Sequence, residues 1–330
     1  MNGSTNGSAI SNLYNHNESF AKRCIPIWTK KETNTELIRF KRLIEKKYNQ
    51  RFNTYWDLHK WSVENIPDFW KEIWHYFNII SSKPYDEVFR KTGKGFLDNE
   101  WFKGAAFNLA ENILKIRNNK IGLIYSDEFG CRETFTYAEI YEQVKRYAAA
   151  FRKHGLRVGE QFHPIDNLST ITKVVPNLEK VIIVATKEET LSRNISDIPH
   201  SIFLEDFLQS GMKSDGTVPE ISFEQLPFSH PAIINFTSGT TRDPKGVVHS
   251  AGTFIAQFRD FAFHQNFKDD DVVFMCSPVG WAIWDYIIPS IAFGVKLFLY
   301  NGSPDSEKGS YNLGCFFRNK VSIAFLPPAS

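Results

Sequence analysis

The sequence predicts an α/β protein with mixed or parallel sheets flanked by helices and a helical, aromatic-rich N-terminal cap. Three observations carry this. Strand-length apolar runs recur in the second half, at 181–184, 232–236, 272–276 and 295–300, and a helical pattern at about 252–263 separates two of them. Five of the eight tryptophans fall between Trp56 and Trp101. A hairpin pattern leading into a capped helix joins these two regions. The chain has 330 residues, enough for one large domain or two ordinary ones.

Residues 1–34 are polar, Gly-containing and without period, and read as a disordered tail. From Thr35, the residues Leu37, Phe40, Ile44 and Tyr48 recur at helical spacing. Pro67 and Asp68 open a second helix, with Phe69, Trp70, Ile73, Trp74 and Phe77 as a wide aromatic face. The tryptophans are expected to pack as a cap. Ile121 to Tyr125 reads as a strand, Asp127 to Gly130 as a turn and Arg132 to Phe135 as the return strand. Thr136 and Glu139 form a capping box. Ile140, Val144, Tyr147 and Phe151 are the expected buried stripe of the helix that follows, and Gly155 its left-handed stop.

After Gly159 the pattern fails. A buried strand and a further helix are expected there, but the chain runs into Phe162, His163 and Pro164. An exposed edge is therefore expected near Val158 to Leu168, with protease sensitivity from His163 to Lys173. The expected organisation is a tail (1–34), a helical region (35–115) and a partial nucleotide-binding domain (116–330) interrupted near 160–165.

Composition excludes several classes. A formal net charge of +2 gives no polyanion-binding signature, so no nucleic-acid partner is expected. The longest apolar stretch, Val279 to Tyr300, is broken by Asp285, Pro289 and Lys296, and reads as a buried helix followed by a strand rather than a membrane span. Cys24, Cys131, Cys276 and Cys315 lack metal-knuckle spacing, so no metal site is assigned to them and reduced thiols in a cytosolic protein are expected. The sequons at Asn2, Asn6 and Asn17 carry little weight without a signal peptide. The run Asp269-Asp270-Asp271 reads as a solvated turn, and His249 as a structural histidine.

One segment carries chemistry. Thr237-Ser238-Gly239-Thr240-Thr241-Arg242-Asp243-Pro244-Lys245-Gly246 follows the apolar strand at 232–236. Small hydroxyl residues and glycines let a backbone close around phosphate oxygens, and Lys245 adds a positive charge. A Walker A loop is excluded, because Pro244 precedes the lysine and Gly246 follows it.

This segment resembles the signature loop of the adenylate-forming superfamily, with Arg242 where that pattern has glycine. Further stretches are similar to its acetoacetyl-CoA synthetase branch. These are the run from Glu224 to Pro231, His249-Ser250-Ala251-Gly252, Val279-Gly280-Trp281 and Leu299 to Pro304. Upstream, Trp101-Phe102-Lys103-Gly104 and Asn108, Ala110, Glu111 and Asn112 are similar to the region shared with acetyl-CoA synthetases. Trp61 to Glu64, Asp68 to Trp70 and Tyr85 to Val88 fit the acetoacetyl branch.

The resemblance implies an acid–thiol ligase using ATP, Mg2+ and coenzyme A. It implies that Thr237, Ser238, Gly239, Thr240, Thr241 and Lys245 hold phosphates, with Lys245 and Thr240 as the catalytic pair, and that Gly280 and Trp281 line the acyl pocket. It also implies small-molecule partners and a cytosolic location. The family's magnesium-binding glutamate, ribose-binding aspartate and mobile C-terminal domain have no counterpart here. An incomplete copy is therefore expected, and a non-catalytic remnant or an acetyl- or propionyl-CoA synthetase-like enzyme remain open as alternatives.

Overall fold

A computed structural model of the chain describes residues 34–326, apart from 96–97, 128–129, 157–177, 186–190, 193, 197, 238, 240–242, 278–280 and 303–309. Residues 1–33 of the tail expected over 1–34, the break at 160–165 and the edge expected near Val158 to Leu168 lie outside the described residues. The described elements form the expected α/β architecture: one mainly parallel sheet, helices on both of its faces, and an aromatic N-terminal layer.

Helix α1 (Glu36–Lys47) begins where Thr35 predicts, the threonine side chain accepting from the Ile38 N–H at 3.3 Å. It buries Phe40 and Ile44 completely. Helix α2 (Tyr55–Glu64), which periodicity does not reveal, is signalled by a Thr54–Asp57 capping box. Helix α3 (Ile66–Tyr76) carries Pro67 in its first turn and buries Ile73 and Trp74. Most cap tryptophans pack as expected, but Trp56 stays 43% exposed. Glu72 is buried, and it is satisfied by Lys47 Nζ at 2.8 Å and the Tyr48 hydroxyl at 2.9 Å.

Short strands β1 (Glu87–Arg90) and β2 (Glu100–Lys103) pair antiparallel, followed by β3 (Ala106–Phe107) and helix α4 (Leu109–Ile113). The buried Asn112 accepts from the Ile80 N–H at 2.8 Å and donates to the Ile80 carbonyl at 2.9 Å, fixing this crossing. Strands β4 (Ile121–Asp127) and β5 (Arg132–Thr136) form the predicted hairpin. Helix α5 (Tyr137–Lys153) starts at the predicted capping box, and Gly155 takes the predicted positive φ of 90°.

The buried face of α5 is rotated from the predicted stripe. Tyr137, Tyr141, Lys145 and Ala150 are buried, whereas Tyr147 is 37% exposed. The reason is a long-range contact. The Tyr137 hydroxyl bonds the Val295 carbonyl at 2.5 Å, pulling the first turn toward the sheet. Lys145 is capped by Glu142 and Glu220. Ile140 and Val144 border the core as partly buried neighbours.

Strands β6 (Val181–Ile183) and β7 (Ser201–Phe203) make a separate parallel pair, and helix α6 (Leu204–Ser210) packs Phe207 and Leu208 against Ala150 of α5. Strand β8 (Leu226–Pro227) pairs with β3, tying the N-terminal layer to the second half. Strands β9 (Pro231–Phe236) and β10 (Gly246–Ser250) form an antiparallel ribbon. Helix α7 (Thr253–Phe263) follows it. Then come β11 (Val272–Met275), helix α8 (Ala282–Ile287), a 3-10 helix (Ile288–Phe293), β12 (Lys296–Asn301), helix α9 (Ser310–Asn319) and β13 (Ile323–Phe325). The apolar run from Val279 is thus a helix and a strand, the helix changing type where Pro289 interrupts it.

The central sheet has the order β13-β11-β12-β4-β5, parallel except for the β4/β5 hairpin. One face buries Val273, Leu297, Ile287 and Phe261, and the other buries Ile124, Phe274, Phe298 and Cys315. Helix α7 has apolar residues on two faces because it is covered on both sides. Its Phe254 and Phe258 face the N-terminal layer, with Phe107 5.6 Å from Phe254, and its Phe261 faces the sheet helices.

Candidate functional site: the β9–β10 hairpin loop

The phosphate-loop segment closes a hairpin. In β9 and β10, Phe236 stands opposite Gly246 and Ile234 opposite Val248. Sequence reasoning anticipates β9 and passes over β10, whose apolar residues Val247 and Val248 are too few to show a period. The neck of the loop is locked twice. The Thr237 N–H donates to the Lys245 carbonyl at 3.0 Å, and the Lys245 N–H donates to Thr237 Oγ1 at 2.9 Å. The Thr237 oxygen accepts this bond, and no described acceptor takes its own proton.

Gly239 adopts φ +68°, a conformation that favours glycine and lets backbone approach an anion closely. Lys245 is exposed, and no described carboxylate forms an ion pair with it. Thr237, Gly239 and Lys245 are thus brought to one loop. Ser238, Thr240, Thr241 and Arg242 lie outside the described residues, as does Gly280.

Trp281 is the N-cap residue of α8 and is 58% exposed, so core packing does not account for it. One turn along the same helix face is Asp285. Burial raises the Asp285 pKa, and the neighbouring Asn235 amide and His249 partly offset the rise. One face of the ribbon is apolar and open, with Ile234 at 42%, Phe236 at 68% and Val248 at 57% exposure.

Asp269 faces Lys120 at 2.8 Å, Asp270 faces Lys296 at 3.8 Å, and Asp271 accepts from the Ser322 hydroxyl at 2.8 Å. Each acid has its own partner, as expected of a surface turn. Among the described residues no group of three histidines, cysteines or acids could hold a metal ion, and no helix is long and apolar enough to cross a membrane.

The AMP-binding enzyme family profile matches residues 167–330, and the acetyl-coenzyme A synthetase N-terminus profile matches residues 55–113. Residues 167–330 thus belong to the AMP-binding enzyme family. An acetoacetyl-CoA synthetase of Gallus gallus is 34% identical over 336 residues, covering 82% of this chain and 50% of the relative. One from Rattus norvegicus is 32% identical over 349 residues, covering 85% and 51%. The fold is similar to the solved acetoacetyl-CoA synthetase from Streptomyces lividans, with a TM-score of 0.76 at 22% identity over 88% of this chain and 53% of that one.

The chain spans about half the length of the curated relatives it matches. The alignments also report an internal difference. In the Gallus gallus comparison, 82% of 330 residues is about 271, yet the match runs over 336 positions, so about 65 positions have no counterpart in this chain.

Proposed function

We propose that this chain carries the phosphate-binding part of an acetoacetate–CoA ligase. The observation that supports this reading best is the locked neck of the β9–β10 loop, which brings the Thr237 hydroxyl and the exposed Lys245 together. In the reaction a carboxylate oxygen attacks the α-phosphorus of ATP. The bond to the β-phosphate oxygen breaks, and pyrophosphate leaves with the electron pair. The thiolate of coenzyme A then attacks the acyl carbon, and AMP departs.

Phosphoryl chemistry of this kind is catalysed mainly by positioning and charge neutralisation. Backbone N–H groups, the Thr237 hydroxyl and Lys245 do this for the departing β- and γ-phosphates, with Ser238, Thr240 and Thr241 as further donors. Gly280 and Trp281 border the acyl group in this reading, the indole favouring a short acid. The described residues do not by themselves form a magnesium cage, so the binding argument rests on the chain's own donors.

Two measurements test this. MgATP titrated calorimetrically into the chain should bind, and Lys245→Ala should weaken it. Absence of binding by the unmodified chain would support a non-catalytic remnant. In a chain extended to the relatives' full length, pyrophosphate release should be faster with acetoacetate than with acetate or propionate. The opposite order would favour an acetyl- or propionyl-CoA synthetase.

A further inference from the structure

A cavity of about 500 Å³ opens where the N-terminal layer meets the foot of the ribbon, a volume within the range of small-molecule sites. Trp101 and Phe102 of β2 and Phe228, just after β8, give it aromatic walls, and Asp98, Ser229 and Ser250 bring polar groups to it. It stands apart from the phosphate loop. Gly246 begins β10 at the loop neck and Ser250 ends it at the cavity, four residues on, or about 13 Å at about 3.3 Å per residue.

Both walls are fixed by the fold itself. Phe102 is a bulky residue at φ +43°, where side chains are rarely found, and Gly104 follows it at φ +85°. The Asp86 N–H donates to the Lys103 carbonyl at 2.7 Å, and the Ala105 N–H donates to the Phe102 carbonyl at 3.1 Å. A Cβ on Gly104 would strike the Asp86 carboxylate. On the other wall a Cβ on Gly252 would strike the Phe228 ring, and the Gly252 N–H donates to the Phe228 carbonyl at 3.1 Å. The Phe102 and Phe228 rings meet at 5.2 Å. Backbone strain like that of Phe102 persists where the surroundings over-determine it, and it clusters at ligand sites.

The charges around the cavity select the ligand. Glu100 faces Lys103 at 3.2 Å and Arg90 at 3.7 Å, and Asp86 faces Lys83 at 3.7 Å. Asp98 has no cation partner among the described residues, and its carboxylate lies over the bare Cα of Gly95 at 2.9 Å from where a Cβ would stand. An uncompensated carboxylate beside aromatic faces favours a cation, by charge pairing and by the ring quadrupole. We propose that this cavity is a second ligand site, taking a small organic ammonium with an apolar body. The aromatic walls hold the body, Asp98 pairs with the ammonium at the mouth, and the Ser229 and Ser250 hydroxyls accept further N–H bonds. The site does not rest on the functional reading above.

The test titrates tryptamine, and its anionic counterpart indole-3-acetate, calorimetrically into the 330-residue chain. Tryptamine should bind saturably and about tenfold more tightly than the acid, which the same carboxylate repels. Bound tryptamine should slow amide hydrogen exchange at residues 100–105 and 228–229 and leave residues 243–246 unchanged. Asp98→Asn should weaken tryptamine binding about threefold to fivefold, the range of an exposed ion pair, at an unchanged thermal midpoint. Trp101→Leu should weaken it about tenfold, and its midpoint is read alongside because Trp101 also packs on Trp70 and Phe89. No saturable binding, equal affinity for amine and acid, protection at the loop instead of the cavity, or full affinity in Asp98→Asn would each overturn the proposal. Failure of the chain to bind MgATP would leave these outcomes as they stand.

Discussion

The N-terminal layer and the phosphate ribbon are built on opposite terms. In the first, Phe40, Phe107, Phe254 and Phe258 are sealed, at 1% exposure or less, and stack edge to face at ring distances of 5 to 6 Å, as for Phe254 and Phe258 at 5.1 Å. In the second, Phe236 and Val248 are more than half exposed and the working groups, Thr237 and Lys245, stand in the open. The sealed layer includes α7, the helix that directly follows the ribbon, so a rigid body anchors a hairpin that has little packing of its own. Stability and chemistry are therefore separable by mutation in this chain.

The sharpest way to break that comparison is to truncate one phenylalanine in each region. Phe107→Ala removes a fully buried ring between Trp74, Phe228 and Phe254, and is expected to cost about 3–5 kcal/mol, read as a loss of denaturant midpoint. Phe236→Ala, on the open face, should cost no more than about 0.5 kcal/mol. Similar losses at both sites would mean that the ribbon face is covered in solution. Next in size is Lys245→Ala. It should weaken MgATP binding by about ten- to a hundredfold, the range of a charge-assisted hydrogen bond lost, and leave the thermal midpoint within a degree or two. A fall in midpoint without a fall in affinity would make Lys245 structural.

A further variant probes the central sheet. Thr136→Ala breaks the capping box in which the Thr136 hydroxyl accepts from the Glu139 N–H at 3.2 Å and the Glu139 carboxylate accepts from the Thr136 N–H at 2.7 Å. A loss of about 1 kcal/mol is expected by urea denaturation. Nucleotide affinity should not change, since α5 lies on the sheet and not on the ribbon. An effect on affinity would show that the two regions are linked through β4 and β5.

How far the sequence is legible follows the same division. Elements with a strong local signal were readable residue by residue: the capping box at Thr136, the stop at Gly155 and the β4/β5 hairpin. Elements defined by long-range contact were not. Helix α2 has a capping box but a weak apolar face, and β10 pairs only because β9 folds back on it. The rotation of α5 depends on Val295, 158 residues away. At the site, the loop was legible as a string of phosphate-binding residue types. The lock between Thr237 and Lys245 was not, because it arises from hairpin closure.

The smallest expected effect is at Arg242, which stands where the family pattern has glycine. The loop demonstrably uses left-handed backbone, since Gly239 sits at φ +68°. A non-glycine residue held in that region costs about 1 kcal/mol, and an arginine at position 242 carries this cost if the loop needs positive φ there. Its guanidinium works the other way, because it can pair with a phosphate. The conformational cost falls on the ligand-bound loop, whose backbone must close on phosphate while the free loop can relax, whereas the charge helps only when the side chain folds back over the ligand. Lys245 already supplies a cation at the neck, which reduces what a second one adds. Arg242→Gly is therefore expected to tighten MgATP binding about threefold to fivefold, with no change in thermal midpoint, the affinity gain corresponding to about 1 kcal/mol. Weaker binding by Arg242→Gly would reverse the ranking and make the arginine a phosphate ligand. The ribbon would then hold phosphate with two side-chain cations, and the Lys245→Ala loss should shrink toward the lower end of its range.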